Sequence, residues 1–487
     1  MVSNGNLARK IELDIPNEVD FTDDPLKWCT VSLHDVVARG KRLEASVFDV
    51  EAKQAKELLK NGKYPLTTIC GNTGLASAYT CARFKRIWVE KSEYPIYQPS
   101  SITDIKPKPD GYLSRNTRTD IEFLRVHKGQ VLLTCSGTIG NLAYVADTLD
   151  NKIFSHDLLR IDFKNAFDVG FVYAYLKSNI GHKILLSNSY GTVITHIEAT
   201  HLDSVPIPNA PIELKKRIND LMVQSYALRD GSNDLIDKAT QLLIDELQLP
   251  PIEEMKDRSV PVETFSVKLS QSDRRLDASY HVPIVEAIEE HLKAHAAEVT
   301  TIGDGRISKD VILPGRFKRV YVEKGYGRVF IGGKQLWELD PTNKKYLSIA
   351  HHAKRIKDQL ELHENMTLIT CSGTVGKVAL VGKHWENWTA NQHIIRVIPQ
   401  NNELAGYLYI FLNTEYGKAL IERHTYGSVV DEITDEHVAN VKIPLLKNET
   451  IQKNINDLAL EANKLRYHAY LLEQQAIKEM NEKVIYA

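Results

Sequence analysis

Residues 135–140 read Cys-Ser-Gly-Thr-Ile-Gly, and residues 371–376 read Cys-Ser-Gly-Thr-Val-Gly, at an offset of 236 residues. Four further pairs of segments recur in the same order at offsets of 233 to 237 residues, which chance does not produce. They are RLEAS and RLDAS from Arg42 and Arg275, RFKR from Arg83 and Arg316, YGTV and YGSV from Tyr190 and Tyr426, and INDL from Ile218 and Ile455. A repeat of this length is a duplicated domain.

The duplication predicts the domain boundaries. The copies extend from about Trp28 to Leu249 and from about Val262 onward, and two similar domains in one chain predict a pseudo-twofold molecule. The expected order is an N-terminal extension (1–27), a first mixed domain (28–210), a first long helix (211–249), a linker (250–262), a second mixed domain (263–446) and a second long helix (447–487).

The first part of each copy reads as an α+β domain with a twisted sheet. In the first copy, apolar residues at helical spacing predict helices over Ser46–Lys60 and Val172–Leu186. Short β-type segments lie between them, bounded by Gly and Pro. These are Pro65–Ile69, Ile87–Val89, Val131–Thr134, Leu142–Val145 and Leu158–Ile161.

The second part of each copy predicts a long helix with heptad spacing. In the first copy the repeating positions are Leu214, Ile218, Leu221, Ser225, Leu228, Ser232, Leu235, Ala239 and Leu242. In the second they are Ile451, Ile455, Leu458, Ala462, Leu465, Ala469, Leu472 and Ala476. Roughly 35 residues would give a rod of about 50 Å. Either the two helices pair as an antiparallel coiled coil, or each packs separately on its own domain.

Composition excludes several classes of protein. The formal net charge of −2 shows no global basic surplus, so a nucleic-acid interface would need clustered basic residues or charge from a partner. Five cysteines lie scattered with no CxxC pair, which argues against disulfides and structural zinc and favours a reducing cytoplasm. Met1–Asp20 lacks the apolar core of a signal peptide, and no apolar run approaches the ~20 residues that span a bilayer.

Basic residues are clustered around the RFKR segment in both copies. Between Arg83 and Lys128 there are ten basic and six acidic residues, and the second copy carries Lys344-Lys345 and Lys354-Arg355 in the equivalent stretch. Clustered Lys and Arg neutralise phosphates, and Arg can also bind guanine in the major groove. The alternative is a solvated face that keeps the protein soluble.

Two glycine loops recur without a catalytic signature. The SGT(I/V)G segment predicts either a tight turn or a backbone contact with a ligand, and it lacks the lysine of a phosphate-binding loop. The Tyr-Gly-Thr/Ser loop suits either phosphate and base contacts or a plain turn. Cys135 and Cys371 have no duplicated His partner, because His156 corresponds to Gln392, so both are expected to be buried rather than nucleophilic. No methyltransferase tetrapeptide, HExxH or convincing nuclease core occurs.

The order of these segments resembles the specificity subunit of Type I restriction–modification systems. Residues 191–194 with 205–208, and 427–429 with 441–444, resemble that family's junction between target-recognition domain and spacer helix. Ala390-Asn391-Gln392-His393-Ile394-Ile395-Arg396 is similar to another recurring stretch. The resemblance covers nearly the whole chain from Trp28 onward.

The resemblance implies a non-catalytic, sequence-specific DNA-binding subunit for phage defence. Each mixed domain would be a target-recognition domain for one half of a split double-stranded DNA site, and the paired helices would set the gap. Two methyltransferase subunits carrying S-adenosylmethionine would dock on the helices, and translocase–nuclease subunits would join for cleavage. No cofactor or metal is expected in this chain.

Two groups of site residues are expected from these arguments. The DNA-binding candidates are Arg83, Lys85, Arg86, Lys108, Arg115, Arg118, Tyr190, Thr192, Arg316, Lys318, Arg319, Lys344, Lys345, Tyr426 and Ser428. The partner-binding candidates are Leu221, Leu228, Leu235, Leu458, Leu465 and Leu472. Three alternatives remain open at this point: the specificity subunit of another methylation-based defence system, a cryptic nuclease, and an interaction scaffold with no DNA role.

Overall fold

The computed structural model describes residues 30–38, 41, 43–191, 194–255, 264, 266–272 and 275–487. Within them the chain divides into two compact units. Unit 1 comprises the described residues up to Asp230 together with Ala469–Ala487, and unit 2 comprises the described part of Gly231–His468. Each unit therefore contains part of both long helices.

Unit 1 has mixed helix and sheet content. Its helices are α1 (Leu33–Ala38), α2 (Val50–Lys60), α3 (Val169–Lys177), α4 (Asn179–Leu186) and the first part of α5 (Ile212–Glu246). Its strands are β1 (Leu66–Thr68), β2 (Ala76–Tyr79), β3 (Trp88–Val89), β4 (Pro95–Tyr97), β5 (Gly111–Leu113), β6 (Val131–Thr134), β7 (Leu142–Tyr144), β8 (Ile153–Phe154), β9 (Leu158–Phe163) and β10 (Pro206–Pro208). The strand orders are β2-β9-β6-β7, β3-β5-β4-β8 and β1-β10, antiparallel except for the parallel pair β4–β8.

Unit 2 repeats this topology. Its helices are α6 (Pro283–His295), α7 (Ile349–Arg355), α8 (Ala405–Asn413), α9 (Glu415–Glu422), α10 (Asp435–Ala439) and α11 (Glu449–Met480), of which the last part belongs to unit 1. Its strands are β11 (Glu298–Thr301), β12 (Ser308–Ile312), β13 (Tyr321–Val322), β14 (Gly327–Ile331), β15 (Lys345–Ser348), β16 (Thr367–Thr370), β17 (Val378–Leu380), β18 (Thr389–Ala390), β19 (Ile394–Pro399) and β20 (Lys442–Leu445). The orders β12-β19-β16-β17, β13-β15-β14-β18 and β11-β20 match unit 1 strand for strand, which confirms the duplication.

Two predictions within the α+β domain were wrong in detail. The expected single sheet is three small sheets within the described part of each unit. The expected helix over Val172–Leu186 is two helices, because Ser178 is extended and begins α4 by accepting a hydrogen bond from the Gly181 amide. The predicted strand Val131–Thr134 coincides with β6, while α2 begins at Val50 because Asp49 caps it through the Ala52 amide.

A close helix contact joins the mixed domain to the long helix in each unit. The Gly170 amide at the start of α3 donates to Asn219 Oδ1 on α5 at 2.9 Å, and the Gly406 amide of α8 donates to Asn456 Oδ1 on α11 at 2.9 Å. A Cβ on Gly170 would lie 2.8 Å from Asn219 Cα, and one on Gly406 would lie 2.4 Å from the Asn456 carbonyl oxygen. The contact therefore requires glycine in both copies.

The two long helices pair within each unit. In unit 1 the Ser225 hydroxyl donates to the Ala469 carbonyl at 2.7 Å and Arg217 bonds Glu479, so α5 and α11 run antiparallel there. In unit 2 Arg466 donates to the Ser232 hydroxyl at 3.2 Å. The predicted pairing is confirmed within each unit. Most of the buried heptad positions carry small residues, which permit close approach of the helices, and Ile218 and Ile455 are buried as well. The small ones are Ser225, Ser232, Ala239, Ala462, Ala469 and Ala476.

The far end of each long helix completes the core of a unit. Ala476, Met480, Val484 and Ile485 belong to the same buried cluster as the apolar residues of α3 in unit 1. Ala239, Leu243, Leu247 and Leu249 have the equivalent place beside α8 in unit 2. The mixed domain of unit 1 is therefore covered by the C-terminal part of α11, the long helix that follows the second mixed domain in the sequence.

A fully buried arginine lies in the central sheet of each unit. Arg160 donates to the carbonyl groups of Leu158, Leu124 and Phe154, and Arg396 to those of Ile394, Leu360, Asn391 and Ala390. Burial lowers the pKa of Arg160 and lowers the pKa of Arg396 to about 9. These guanidinium groups tie β9 and β19 to neighbouring loops through backbone oxygens.

Candidate nucleic-acid interface

Three loops of unit 2 surround an open cleft of about 540 Å³. They are the turn after β16 that contains Ser372, the β18–β19 loop and the hairpin between Tyr426 and Glu432. Arg316 of the RFKR segment also lines this cleft. The described residues that line the cleft are Arg316, Ser372, Gln392, His393, Val429, Val430 and Glu432.

The same backbone bonds hold these loops in both units. The Gly373 amide donates to the Asp431 carbonyl at 3.0 Å, and in unit 1 the Gly137 amide donates to the Thr195 carbonyl at 3.0 Å. The Ile433 amide donates to the Cys371 carbonyl, as the Ile197 amide does to that of Cys135. The predicted SGT turn thus packs against the predicted Tyr-Gly loop, an arrangement that sequence spacing did not reveal.

The Tyr-Gly hairpin requires its glycine. Gly191 and Gly427 have φ values of 101° and 113°, where residues with a Cβ are strained. A Cβ on either would lie 2.2 Å from the carbonyl oxygen of Ile194 or Val430. Reciprocal backbone bonds close the loop between Tyr190 and His196, and between Tyr426 and Glu432.

Acidic and basic groups meet inside the unit 2 cleft. Arg316 Nη2 lies 3.2 Å and Ser372 Oγ lies 3.4 Å from the same oxygen of Glu432, Oε1. Burial lowers the pKa of His393, and Arg319 and Arg316 lower it further. Gln392 is 9% exposed, and its side-chain oxygen has no partner among the described residues.

The equivalent place in unit 1 carries different chemistry. His196 occupies the position of Glu432, and its Nδ1 lies 3.1 Å from Ser136 Oγ. His156, at the position of Gln392, has its pKa lowered mainly by burial, and its ring lies 5.7 Å from that of Phe84. Arg86 donates to Ser155 in the same loop at 3.0 Å.

The basic residues predicted for DNA binding divide into two groups. Arg83, Lys85, Arg316, Lys318 and Arg319 are exposed, Arg86 is half-buried, and all lie on the RFKR segments beside the loops. The others lie on or next to the β3-β5-β4-β8 sheet and its copy. There Lys108 and Arg118 are exposed, Arg115 pairs with Glu93, Lys344 pairs with Asp340, and Lys345 lies 5.4 Å from the Tyr321 ring.

The predicted loop residues differ in exposure. Tyr190 is half-buried and its hydroxyl donates to Glu198, whereas Tyr426 is 42% exposed and Ser428 is exposed. Thr192 lies outside the described residues. Among the described residues of the two loops, Tyr426 is therefore more exposed to solvent than Tyr190.

Two exposed aromatic residues were missed by the sequence arguments. Trp88 on β3 is 49% exposed beneath Arg86, and Tyr321 on β13 is 42% exposed beside Lys345. They occupy equivalent positions in RFKRIWVEK and RFKRVYVEK. An alignment of the two copies pairs Trp88 with Tyr321, and His196 with Glu432, so it could have pointed to these positions.

The leucines predicted to bind a partner lie on the two long helices. Leu221, Leu228, Leu235, Leu458, Leu465 and Leu472 are all half-buried. The small heptad residues are buried, and three of these leucines, Leu221, Leu235 and Leu458, pack against the cores of the two units. Part of each leucine remains open to solvent.

The described residues offer neither a reactive cysteine nor a metal site. Burial raises the pKa of Cys135 to about 11 and of Cys371 to about 12, so both remain protonated thiols rather than nucleophiles. In the part of the chain that the structure describes, no group of three His, Cys, Asp or Glu side chains is placed to hold a metal. Among the same residues, no helix has the length and apolar character needed to cross a bilayer.

Comparison with known proteins gives one family and several structural likenesses. The family model described as "Type I restriction modification DNA specificity domain" matches residues 25–238 and 327–459. The Type-I restriction-modification S subunit from M. genitalium is similar at 15% identity over 86% of this chain and 96% of that chain, with a TM-score of 0.34. The HsdS subunit from Thermoanaerobacter tengcongensis is similar at 15% identity over 83% and 94%, with a TM-score of 0.26.

A search of curated proteins gave no match. The family match spans both copies of the repeat and more than half of the chain. The chain therefore belongs to the family of Type I restriction–modification DNA specificity domains, and it is a non-catalytic subunit that recognises DNA sequence.

Proposed function

We propose that this chain reads a split DNA site, with unit 1 on one half and unit 2 on the other. The observation that carries the proposal is the duplicated arrangement of loops. Both units present the same three loops and the same RFKR segment, yet the polar side chains among them differ. Two sets of loops with one backbone framework and different side chains suit two half-sites of different sequence.

The RFKR segments support contacts with the phosphate backbone. Their exposed Arg and Lys residues recur in both units, and a contact without sequence preference needs no difference between them. The exposed rings of Trp88 and Tyr321 add apolar surface at the same places. The whole chain, with these segments included, has a net charge of −2, so the attraction to phosphates is confined to the basic segments.

The flanks of the helix pairs support docking of two methyltransferase subunits. The leucines of α5 and α11 are chemically alike and each keeps part of its side chain exposed, as expected where two identical partners bind two similar surfaces. S-adenosylmethionine would be bound by those partners, and translocase–nuclease subunits would join the same assembly. The four described cysteines are free and buried, which fits a reducing cytoplasm.

Charge reversal within the assembled complex tests the split-site proposal. The triple variant Arg83→Glu, Lys85→Glu and Arg86→Glu should weaken binding through the half-site of unit 1. Loss of three phosphate contacts should also flatten the slope of log K against log salt by about 3. The equivalent variant at Arg316, Lys318 and Arg319 should affect the other half. Footprinting with the methyltransferase partner present measures both effects.

The control reverses Lys53 and Lys60, which are exposed on α2 of unit 1 outside the basic segment. It should leave both half-sites protected. Protection of one continuous site by the unaltered complex, or equal loss at both halves in each triple variant, would contradict the proposal.

A further inference from the structure

The three loops have the same backbone framework in the two units and differ at three polar positions. Arg83 and Arg316, Ser136 and Ser372, and the glycine of each hairpin are the same in both. His196, His156 and Asp157 of unit 1 are replaced by Glu432, Gln392 and His393 in unit 2. Because the backbone bonds around them are equivalent, these exchanges alter the hydrogen-bonding character of the cleft rather than its backbone.

Unit 2 places an acceptor beside a donor. Arg316 and Ser372 both contact Oε1 of Glu432, and no described residue donates to its Oε2. The side chains of Arg316 and Glu432 are 81% and 29% exposed, so both remain accessible. A carboxylate accepts from the amino group of cytosine, and an arginine donates to O6 and N7 of guanine. The pair therefore matches the major-groove edge of one C·G base pair.

Unit 1 offers a different pattern at the same place. Ser136 Oγ is bonded to His196 Nδ1, and no described residue is bonded to Nε2. When the hydroxyl donates to Nδ1, the ring proton lies on Nε2, which then donates outward. Together with Arg83, this presents donors alone, which suits a base edge rich in acceptors, such as that of guanine.

We propose that positions 432 and 196 determine the sequence that each unit recognises. Glu432 accepts a hydrogen bond from an exocyclic amino group in the half-site of unit 2, with Arg316 on the paired guanine. His196 donates to a base acceptor in the half-site of unit 1. The assignment rests on the proposed reading of a split DNA site and names the side chains that distinguish its halves.

The test is selection from duplex DNA randomised over both half-sites, using the chain in complex with its methyltransferase subunits. Glu432→His should change the preference at one base pair of the unit 2 half-site, from an amino-bearing base to an acceptor-bearing one. Enrichment at that pair should shift roughly ten- to a hundredfold. The unit 1 half-site should be selected as before, which also shows that the complex is folded and assembled.

Two further variants sharpen the result. His196→Glu should move the preference in the other half-site alone. Glu415→His makes the same charge change on the exposed first residue of α9 in unit 2 and should alter neither preference.

An unchanged preference in Glu432→His would overturn the assignment, as would an equal loss on every unit 2 sequence, because Glu432 would then act only by holding Arg316 and the hairpin. An unaltered complex that enriches no sequence would instead overturn the proposed function itself.

Discussion

In both units a helix of the mixed domain packs against the two long helices, but the side chains at this junction differ between the units. In unit 1, Glu473 of α11 is 2% exposed and contacts Arg229 of α5 and Lys177 of α3. The Tyr173 hydroxyl also lies 3.4 Å from it and 2.9 Å from the hydroxyl of Tyr226. Burial raises the pKa of Tyr173, and the neighbouring Tyr226 and Glu473 raise it further. The junction of three helices is thus a buried charged cluster.

In unit 2 the corresponding junction is largely uncharged. Ile236 stands at the place of Glu473 and is buried, and Asn413 replaces Lys177. Arg466 remains but bonds the Ser232 hydroxyl, while Asn463 donates to the Val381 carbonyl at 2.9 Å. The shared topology therefore does not depend on the ion cluster, whose members must nevertheless be present together in unit 1.

The largest effect should come from removing the central carboxylate. Glu473→Ala removes the buried carboxylate that contacts Arg229 and Lys177, so the free energy of unfolding of unit 1 should fall by about 3–5 kcal/mol. Hydrogen exchange of α3 and α4 measures it, with α8 and α9 of unit 2 as an internal reference. Glu482→Ala, in an exposed pair with Lys478, is the control and should cost under about 0.5 kcal/mol.

A double variant gives the junction of unit 1 two of the residues that unit 2 has there. The double variant Glu473→Ile and Lys177→Asn removes opposite charges together and should cost less than Glu473→Ala alone. If the double variant is less stable than the single one, the charged cluster itself stabilises unit 1. The cost of Glu473→Ala would then not come from unbalanced charges that remain.

A smaller effect should distinguish the units in acid. Burial, with the charges of His437, Arg423, Arg275 and Lys442, lowers the pKa of His424 in unit 2 to about 3, and unit 1 has Asn188 at that position. The unfolded chain binds a proton near pH 6.5 and the folded one does not, so stability is lost as pH falls. Between pH 6.5 and 5 the loss should be about 1–2 kcal/mol.

His424→Asn should remove that part of the pH dependence, measured by exchange of α8 and α9 at both pH values. His468→Asn, an exposed residue of α11, should leave the dependence as it was. If His424→Asn retains the full loss in acid, another group must carry it.

The smallest effect concerns the helix contact. The Ser225 hydroxyl donates to the Ala469 carbonyl, whereas unit 2 has Ala462 at the equivalent place. Ser225→Ala should cost about 0.5–1 kcal/mol in denaturant unfolding, because the carbonyl also accepts within its own helix. A cost near that of Glu473→Ala would mean that the serine specifies the pairing of α5 with α11.

Periodicity and repetition predicted the elements better than their assembly. The short apolar segment Val131–Thr134 located β6, which is buried throughout, and the repeated offsets agree with the matching strand orders of the two units. The break at Ser178 was missed because apolar spacing continues across it while the cap depends on one hydroxyl. The packing of the loops was missed for a similar reason: Ser136 and His196 lie 60 residues apart in sequence and meet only through that packing.

The placement of residues 469–485 has a consequence for how the protein is made. Unit 1 cannot bury its full core until the end of α11 arrives, about 240 residues after Asp230 has been synthesised. At roughly 5–20 residues per second, the apolar face of α3 and α5 would await its cover for about 12–50 s. Throughout that interval unit 1 exposes apolar residues on the ribosome, where chaperones and the helices of neighbouring nascent chains can bind them.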